Sequence, residues 1–139
     1  LISMEKKITD RHLDVDADIP EEPILVRGDN DMITQVIYNL LENATKFARE
    51  GTTLYLGVTT IDGKARVTVR NLGDTIPAEE LPLLFERFHK SDKSRSEDKD
   101  GVGLGLYIVK TILEQHKEKI NVTSENGVTT FAFSLSMDA

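Results

Sequence analysis

Apolar residues recur at helical spacing in two stretches of the chain. Across residues 31–49, Met32, Ile33, Val36, Ile37, Leu40, Leu41, Ala44, Phe47 and Ala48 share one face. That predicts an amphipathic helix with Asp29 or Asn30 as its cap. From Gly103 to about His116, Leu104, Leu106, Ile108, Val109, Ile112 and Leu113 predict a second, half-buried helix. Elsewhere the period is two. Leu13, Val15 and Ala17 alternate with His12, Asp14 and Asp16, so residues 8–18 read as a strand. A turn with Pro20 and Pro23 leads to a short strand, Ile24-Leu25-Val26, ended by Gly28. Residues 52–61 and 64–71 flank Asp62-Gly63, a tight-hairpin pair. Residues 120–124 and 128–135 flank Glu125-Asn126-Gly127, with Phe131, Phe133 and Leu135 on one face. Pro77 suits the first turn of a helix continued by Leu81, Leu84, Phe85 and Phe88. Residues 89–100 contain no apolar side chain, which fits a lid or a solvated linker. This order predicts an α+β fold, a mixed, mostly antiparallel sheet with helices on one face.

Charge and composition narrow the function. The chain has 139 residues, enough for one domain with a real core. Its net charge of -7 argues against nucleic acid or direct contact with an anionic membrane, both of which need clustered Lys and Arg. There is no cysteine, hence no disulfide framework or thiolate chemistry. No apolar run is long enough to span a membrane. Leu1-Ile2-Ser3 reads as the cut end of something longer, so an excised domain is expected.

Two clusters are candidates for chemistry. Gly101, Gly103 and Gly105 fall just before and inside the start of the second helix. Each glycine costs such a helix about 1 kcal/mol against alanine. An anion held by the unpaired N–H groups of the helix start would compensate, and a tight loop needing positive φ is the plainer explanation. Asn39, Asn43 and Lys46 form the second cluster. At 3.6 residues per turn they lie within about 60° of one another, on the edge of the apolar face. There they must find partners or stay wet.

Four segments in order then resemble the motifs of one family. Asn39-Leu40-Leu41-Glu42-Asn43-Ala44-Thr45-Lys46-Phe47 resembles the asparagine box of sensor histidine kinases. Asn71-Leu72-Gly73-Asp74-Thr75-Ile76-Pro77 resembles their first glycine box, and Leu84-Phe85-Glu86-Arg87-Phe88-His89-Lys90 their phenylalanine box. Gly101-Val102-Gly103-Leu104-Gly105-Leu106 resembles the second glycine box, and residues 127–135 the closing strand. The resemblance covers the chain from about Ile8, with residues 1–7 left as a linker or the end of a preceding dimerisation helix. It implies the Bergerat two-layer α/β sandwich of the gyrase, Hsp90, histidine kinase and mismatch-repair ATPases. ATP would lie between the asparagine helix and a lid at about residues 89–102.

The resemblance also implies roles. Asn43 would give an amide oxygen to Mg²⁺, whose other ligands would be phosphate oxygens and waters. Asn39 would help hold that cluster, Lys46 would reach the phosphates, and Phe47 would pack on adenine. Lys90 would approach the γ-phosphate as a point charge where the family usually has Arg. Backbone N–H groups of Gly101, Val102, Gly103, Leu104, Gly105 and Leu106 would hold the triphosphate. Asn71, Gly73, Ile76 and Thr130 would line the adenine side. Two residues depart from the pattern. Asn71 stands where the family has an adenine-reading Asp, and Thr75 where the box has its second glycine. Asn39 also replaces the water-activating glutamate of gyrase-like relatives, which disfavours hydrolysis and favours phosphoryl transfer.

His12, His89 and His116 are the only histidines, and all three read as structural. The phosphate-accepting histidine is therefore expected on a dimerisation domain before Leu1, with a response-regulator receiver domain as the final acceptor. The implied parent is an integral receptor of the bacterial cell membrane with this domain in the cytoplasm. The fragment is expected to bind ATP without phosphorylating itself. A related anti-sigma-type serine kinase and a degenerate docking module that has lost ATP are the alternatives.

Overall fold

The computed structural model describes residues 4–86 and 104–138. Three α-helices lie among them: α1 (Met4–Asp10), α2 (Asn30–Phe47) and α3 (Gly105–Gln115). The five strands are β1 (Asp14–Asp18), β2 (Thr53–Ile61), β3 (Lys64–Leu72), β4 (Asn121–Glu125) and β5 (Val128–Ser136). They form one sheet in the order β1-β2-β3-β5-β4, with β1 parallel to β2 and the other pairs antiparallel. The mixed, mostly antiparallel sheet with helices on one face is therefore present.

Register follows from the two hairpin turns. Asp62 and Gly63 take φ values of 51° and 76°, and Asn126 and Gly127 take 51° and 79°. Two successive left-handed residues make the turn whose twist matches the flanking strands. Pairing then puts Leu54, Val67, Val69, Phe131, Phe133 and Leu135 on one face, against Val36, Leu40 and Ala44 of α2 and Val109, Ile112 and Leu113 of α3. Phe85 closes this core edge-to-face on Phe131, with ring centroids 6.1 Å apart.

The helix caps are chemically distinct. Asp29 caps α2 by accepting from Met32 N at 2.9 Å, the first of the two residues expected there. Its own N–H donates to His116 Nε2 at 3.1 Å, while His116 Nδ1 lies 2.8 Å from Ile112 O. His116 thus ties the end of α3 to the start of α2, a structural role as the sequence implied.

Several elements differ from expectation. Residues 8–10 belong to α1, which crosses the expected boundary after residue 7, and β1 begins only at Asp14. Helix formers before Asp10 win over the alternation, and His12 turns the chain with φ 58°. Residues 24–26 make a single bridge, Val26 to Met137, in place of a strand. The helix expected from Pro77 is a turn followed by a 3-10 helix, Leu81–Phe85. Pro82 explains this: it lacks an N–H, and its ring would clash with the Ala78 carbonyl of a continuous α-helix. Phe88, His89 and the expected lid fall outside the described residues.

Candidate functional site

The end of α2 and the start of α3 lie side by side. Leu40 and Ala44 are buried beneath α2, which leaves Asn39, Asn43 and Lys46 half-buried along its edge. Asn39 Nδ2 reaches Gly105 O at 3.4 Å, a long hydrogen bond that joins the amide stripe to the first turn of α3. That turn has no side-chain cap and no acidic residue, and Ile108 N to Leu104 O at 2.8 Å is its first closing bond. The N–H groups of Leu104, Gly105 and Leu106 therefore have no helical partner. A Cβ placed on Gly105 would meet nothing within 4 Å among the described residues. Unpaired donors, a positive helix end and open ground beside a glycine together suit an anion. Glu42, the neighbouring carboxylate, turns away and pairs with Lys7 of α1 at 3.3 Å.

The second wall is the end of β3 and the loop after it. Asn71 is only 4% exposed, and its side chain makes no hydrogen bond to the described residues. Its amide atoms are not among the buried polar atoms that lack a partner, so what little of the residue is exposed includes its polar end. Gly73 is buried because nothing larger fits: a Cβ there would sit 2.5 Å from Phe47 O. This close approach brings Asn71 and the loop against the end of α2, where Phe47 is half-buried. Arg49 reinforces the junction through its N–H to Leu72 O at 2.7 Å and an ion pair with Asp74 at 3.7 Å.

Beyond Gly73 the loop is pinned to the β4–β5 hairpin. Gly73 N donates to Gly127 O at 2.8 Å, and Gly127 N donates to Thr75 Oγ1 at 2.7 Å. Ile76 N donates to Ser124 Oγ at 2.8 Å. Thr75 therefore has work to do where the resemblance called for glycine.

Most of the expected residues that are described converge here: Asn39, Asn43, Lys46, Phe47, Asn71, Gly73, Ile76, Leu104, Gly105 and Leu106. Lys90, Gly101, Val102 and Gly103 lie outside the described residues. Thr130 does not converge. It pairs with Arg70 on the outer face, where its Oγ1 accepts from Arg70 Nε at 3.3 Å. Its neighbour Thr129 takes the inner position, 4% exposed and directly opposite Asn71. The alternation signal was available, since Thr129 shares parity with Phe131, Phe133 and Leu135. Ser124 pairs with Thr129 on the same inner face, a placement that the sequence does not state.

These residues fit a nucleoside triphosphate with a hard cation. Neutral amides and uncapped N–H groups stand at one end of the cleft, and the largely buried Asn71 amide stands at the other. Among the described residues, no group of three His, Cys, Asp or Glu could hold a metal.

Comparison with known proteins agrees with this geometry. Residues 28–139 match the family described as histidine kinase-, DNA gyrase B-, and HSP90-like ATPase. The sensor histidine kinase CusS of Escherichia coli O6:H1 is 41% identical over 110 residues, 79% of this chain and 23% of that protein. The sensor histidine kinase YkoH of Bacillus subtilis is 36% identical over 117 residues, 84% of this chain and 25% of that protein. The chain thus spans about a quarter of the length of these curated relatives. The nucleotide-free catalytic domain of histidine kinase ThkA superposes with a TM-score of 0.82 at 29% identity, covering 96% of this chain and 84% of that one.

Proposed function

The chain belongs to the histidine kinase-, DNA gyrase B- and HSP90-like ATPase family, and on that premise we propose that it binds Mg-ATP between α2 and α3 and donates the γ-phosphoryl group to a histidine. That histidine would sit on the dimerisation domain of a longer sensor kinase, for relay to a response-regulator aspartate. Residues 8–139 would then be the ATP-binding unit, entered through α1.

Asn39, Lys46 and the N–H groups from Gly101 to Leu106 would hold the phosphates, with Lys90 near the γ-phosphate. Asn43 would contribute one ligand to Mg²⁺, which neutralises charge on the phosphates when bound. Asn71, Gly73, Ile76 and Phe47 would enclose the base, with Thr129, on the inner face of β5, beside them in place of the outward-facing Thr130. In the transfer, a bond forms between the acceptor imidazole nitrogen and the γ-phosphorus while the bond to the departing ADP oxygen breaks. Transfer of this kind depends on alignment and charge neutralisation more than on a general base. An amide at Asn39 suits it, because an amide cannot take a proton from water.

The observation that carries this reading is the bridge from Asn39 Nδ2 to Gly105 O, which sets the amide stripe beside the uncapped start of α3. Calorimetry with Mg-ATP tests it. Saturable binding that depends on magnesium is expected, and no binding at millimolar nucleotide would leave the docking-module reading in its place.

A further inference from the structure

Arg11 joins the first helix to the end of α2. The stop of α1 is fixed by its backbone: His12 N donates to Thr9 O and Leu13 N to Ile8 O, both at 3.0 Å, with His12 at φ 58°. That pair of bonds is a Schellman stop. Leu13 is buried in the core, and Ile8 packs against it. Arg11 O accepts from Gly51 N at 3.1 Å, which holds the Arg11 backbone beside the entry to β2. Its side chain crosses to α2, where Nη2 donates to Ala48 O. Nε is buried and has no partner among the described residues, so the stem is packed into the joint. A cation at this place also meets the negative end of α2.

The segment that Arg11 grips is the one that meets the loop after β3. Phe47 O lies only 2.5 Å from where a Cβ on Gly73 would sit, and Arg49 N donates to Leu72 O at 2.7 Å. Phe47, Ala48 and Arg49 are thus tied both to Arg11 and to Leu72 and Gly73. We infer that Arg11 is a positioning residue for the nucleotide site: it passes the placement of α1 on to Phe47 and the Leu72–Gly73 backbone without touching the nucleotide. A tilt of α1 that withdraws the guanidinium frees Ala48 O, and the loosened segment lets the cleft widen beside Phe47. The ion pair of Lys7 with Glu42 is a second tie between α1 and α2, but its side chains are 38% and 37% exposed. A pair so wet holds little. Coupling of this kind is reciprocal: if a docked α1 tightens the site, bound nucleotide must tighten the docking of α1 by the same factor. The inference rests on the nucleotide reading above.

Calorimetry with Mg-ATP tests it on the wild-type chain, Arg11→Ala, Arg11→Lys and Lys7→Ala, each at a temperature where it is folded by circular dichroism. Arg11→Ala should weaken Mg-ATP about ten-fold, within the ordinary range of coupling between sites. Arg11→Lys keeps the charge on a single ammonium and should recover part of that loss. Lys7→Ala should leave the affinity within about two-fold. Amide hydrogen exchange gives the readout that a merely stabilising role would not move. Mg-ATP should slow exchange at His12 and Leu13, whose N–H groups close the end of α1, in the wild type and not in Arg11→Ala. Equal Mg-ATP affinity in the wild type and Arg11→Ala overturns the inference. So does exchange at His12 and Leu13 that ignores nucleotide in the wild type, and so does a loss in Lys7→Ala as large as that in Arg11→Ala. Should Arg11→Ala not fold, Arg11→Lys with affinity equal to the wild type, or the wild-type exchange result, overturns it in the same way. A wild type that binds no Mg-ATP at all would instead sink the nucleotide reading, and this inference with it.

Discussion

Gly73→Ala probes the junction on which the base-side wall depends. The added Cβ would lie 2.5 Å from Phe47 O, a backbone atom near the end of α2. Ordinary contact needs about 3.5 Å, so the two segments must part by about 1 Å. Overpacking of this kind costs about 1–3 kcal/mol. The separation also strains two short backbone bonds, Arg49 N to Leu72 O at 2.7 Å and Gly73 N to Gly127 O at 2.8 Å. Loss of either adds about 1 kcal/mol. Together the expected destabilisation is roughly 2–4 kcal/mol, a fall in Tm on the order of 10 °C for a domain of this size. Thermal melting followed by circular dichroism measures it. A second readout, nucleotide affinity at a temperature where the variant is folded, should fall as well, because Asn71 and Phe47 are held apart. A variant that melts within 2 °C of the wild type would refute the view that Gly73 is kept for close packing.

Gly105→Ala should do the opposite to stability. With nothing within 4 Å of the new Cβ among the described residues, the helix start gains up to about 1 kcal/mol, while Mg-ATP affinity by calorimetry should drop at least about ten-fold; unchanged affinity would remove phosphate from this helix end. Asn43→Ala should abolish magnesium-dependent ATP binding, with a change in chemical-denaturation stability under about 1 kcal/mol, because the residue only borders the core. Phe131→Ala removes a ring that is 1% exposed and stacked edge-to-face on Phe85. It should cost about 3–5 kcal/mol in urea unfolding, and a cost below 2 would mean that this layer is loosely packed.

The period-two and period-3.6 stretches carried most of the fold. Residues 53–61, 64–72, 121–125 and 128–136 emerged as strands because each hairpin turn is a left-handed pair that Asp-Gly or Asn-Gly supplies. The failures have separate local causes. At residues 8–18, Val15 is 53% exposed on an edge strand, so alternation there reflects no burial, and the helix begun by the good formers of residues 4–7 runs on through residue 10. Pro82 broke a helix whose apolar spacing looked intact. At the site, the helical residues were legible because one angle places Asn39, Asn43 and Lys46 together. The strand residues were less so. Telling Thr129 from Thr130 needs the parity of β5, and finding Ser124 needs a partner strand that pairs across the Asn126-Gly127 turn.

The net charge of -7 sets a condition that the fold meets by placement. A polyanion is repelled by carboxylates within about a Debye length, roughly 8 Å at physiological salt, and barely by those farther away. Asp14, Asp16 and Asp18 pair with Thr53, Tyr55 and Gly57, so they share the face of the sheet away from α2 and α3. There they also place charge along an open edge strand, which discourages pairing with another chain. On the cleft side, the first turn of α3 has no acidic residue and the last turn of α2 has Lys46. Glu42, the one carboxylate within the asparagine stripe's own segment, is drawn off by Lys7. Among the described residues, a polyphosphate in this cleft would therefore meet the positive start of α3 and the Lys46 ammonium, which offsets the negative end of α2, although the chain as a whole is acidic.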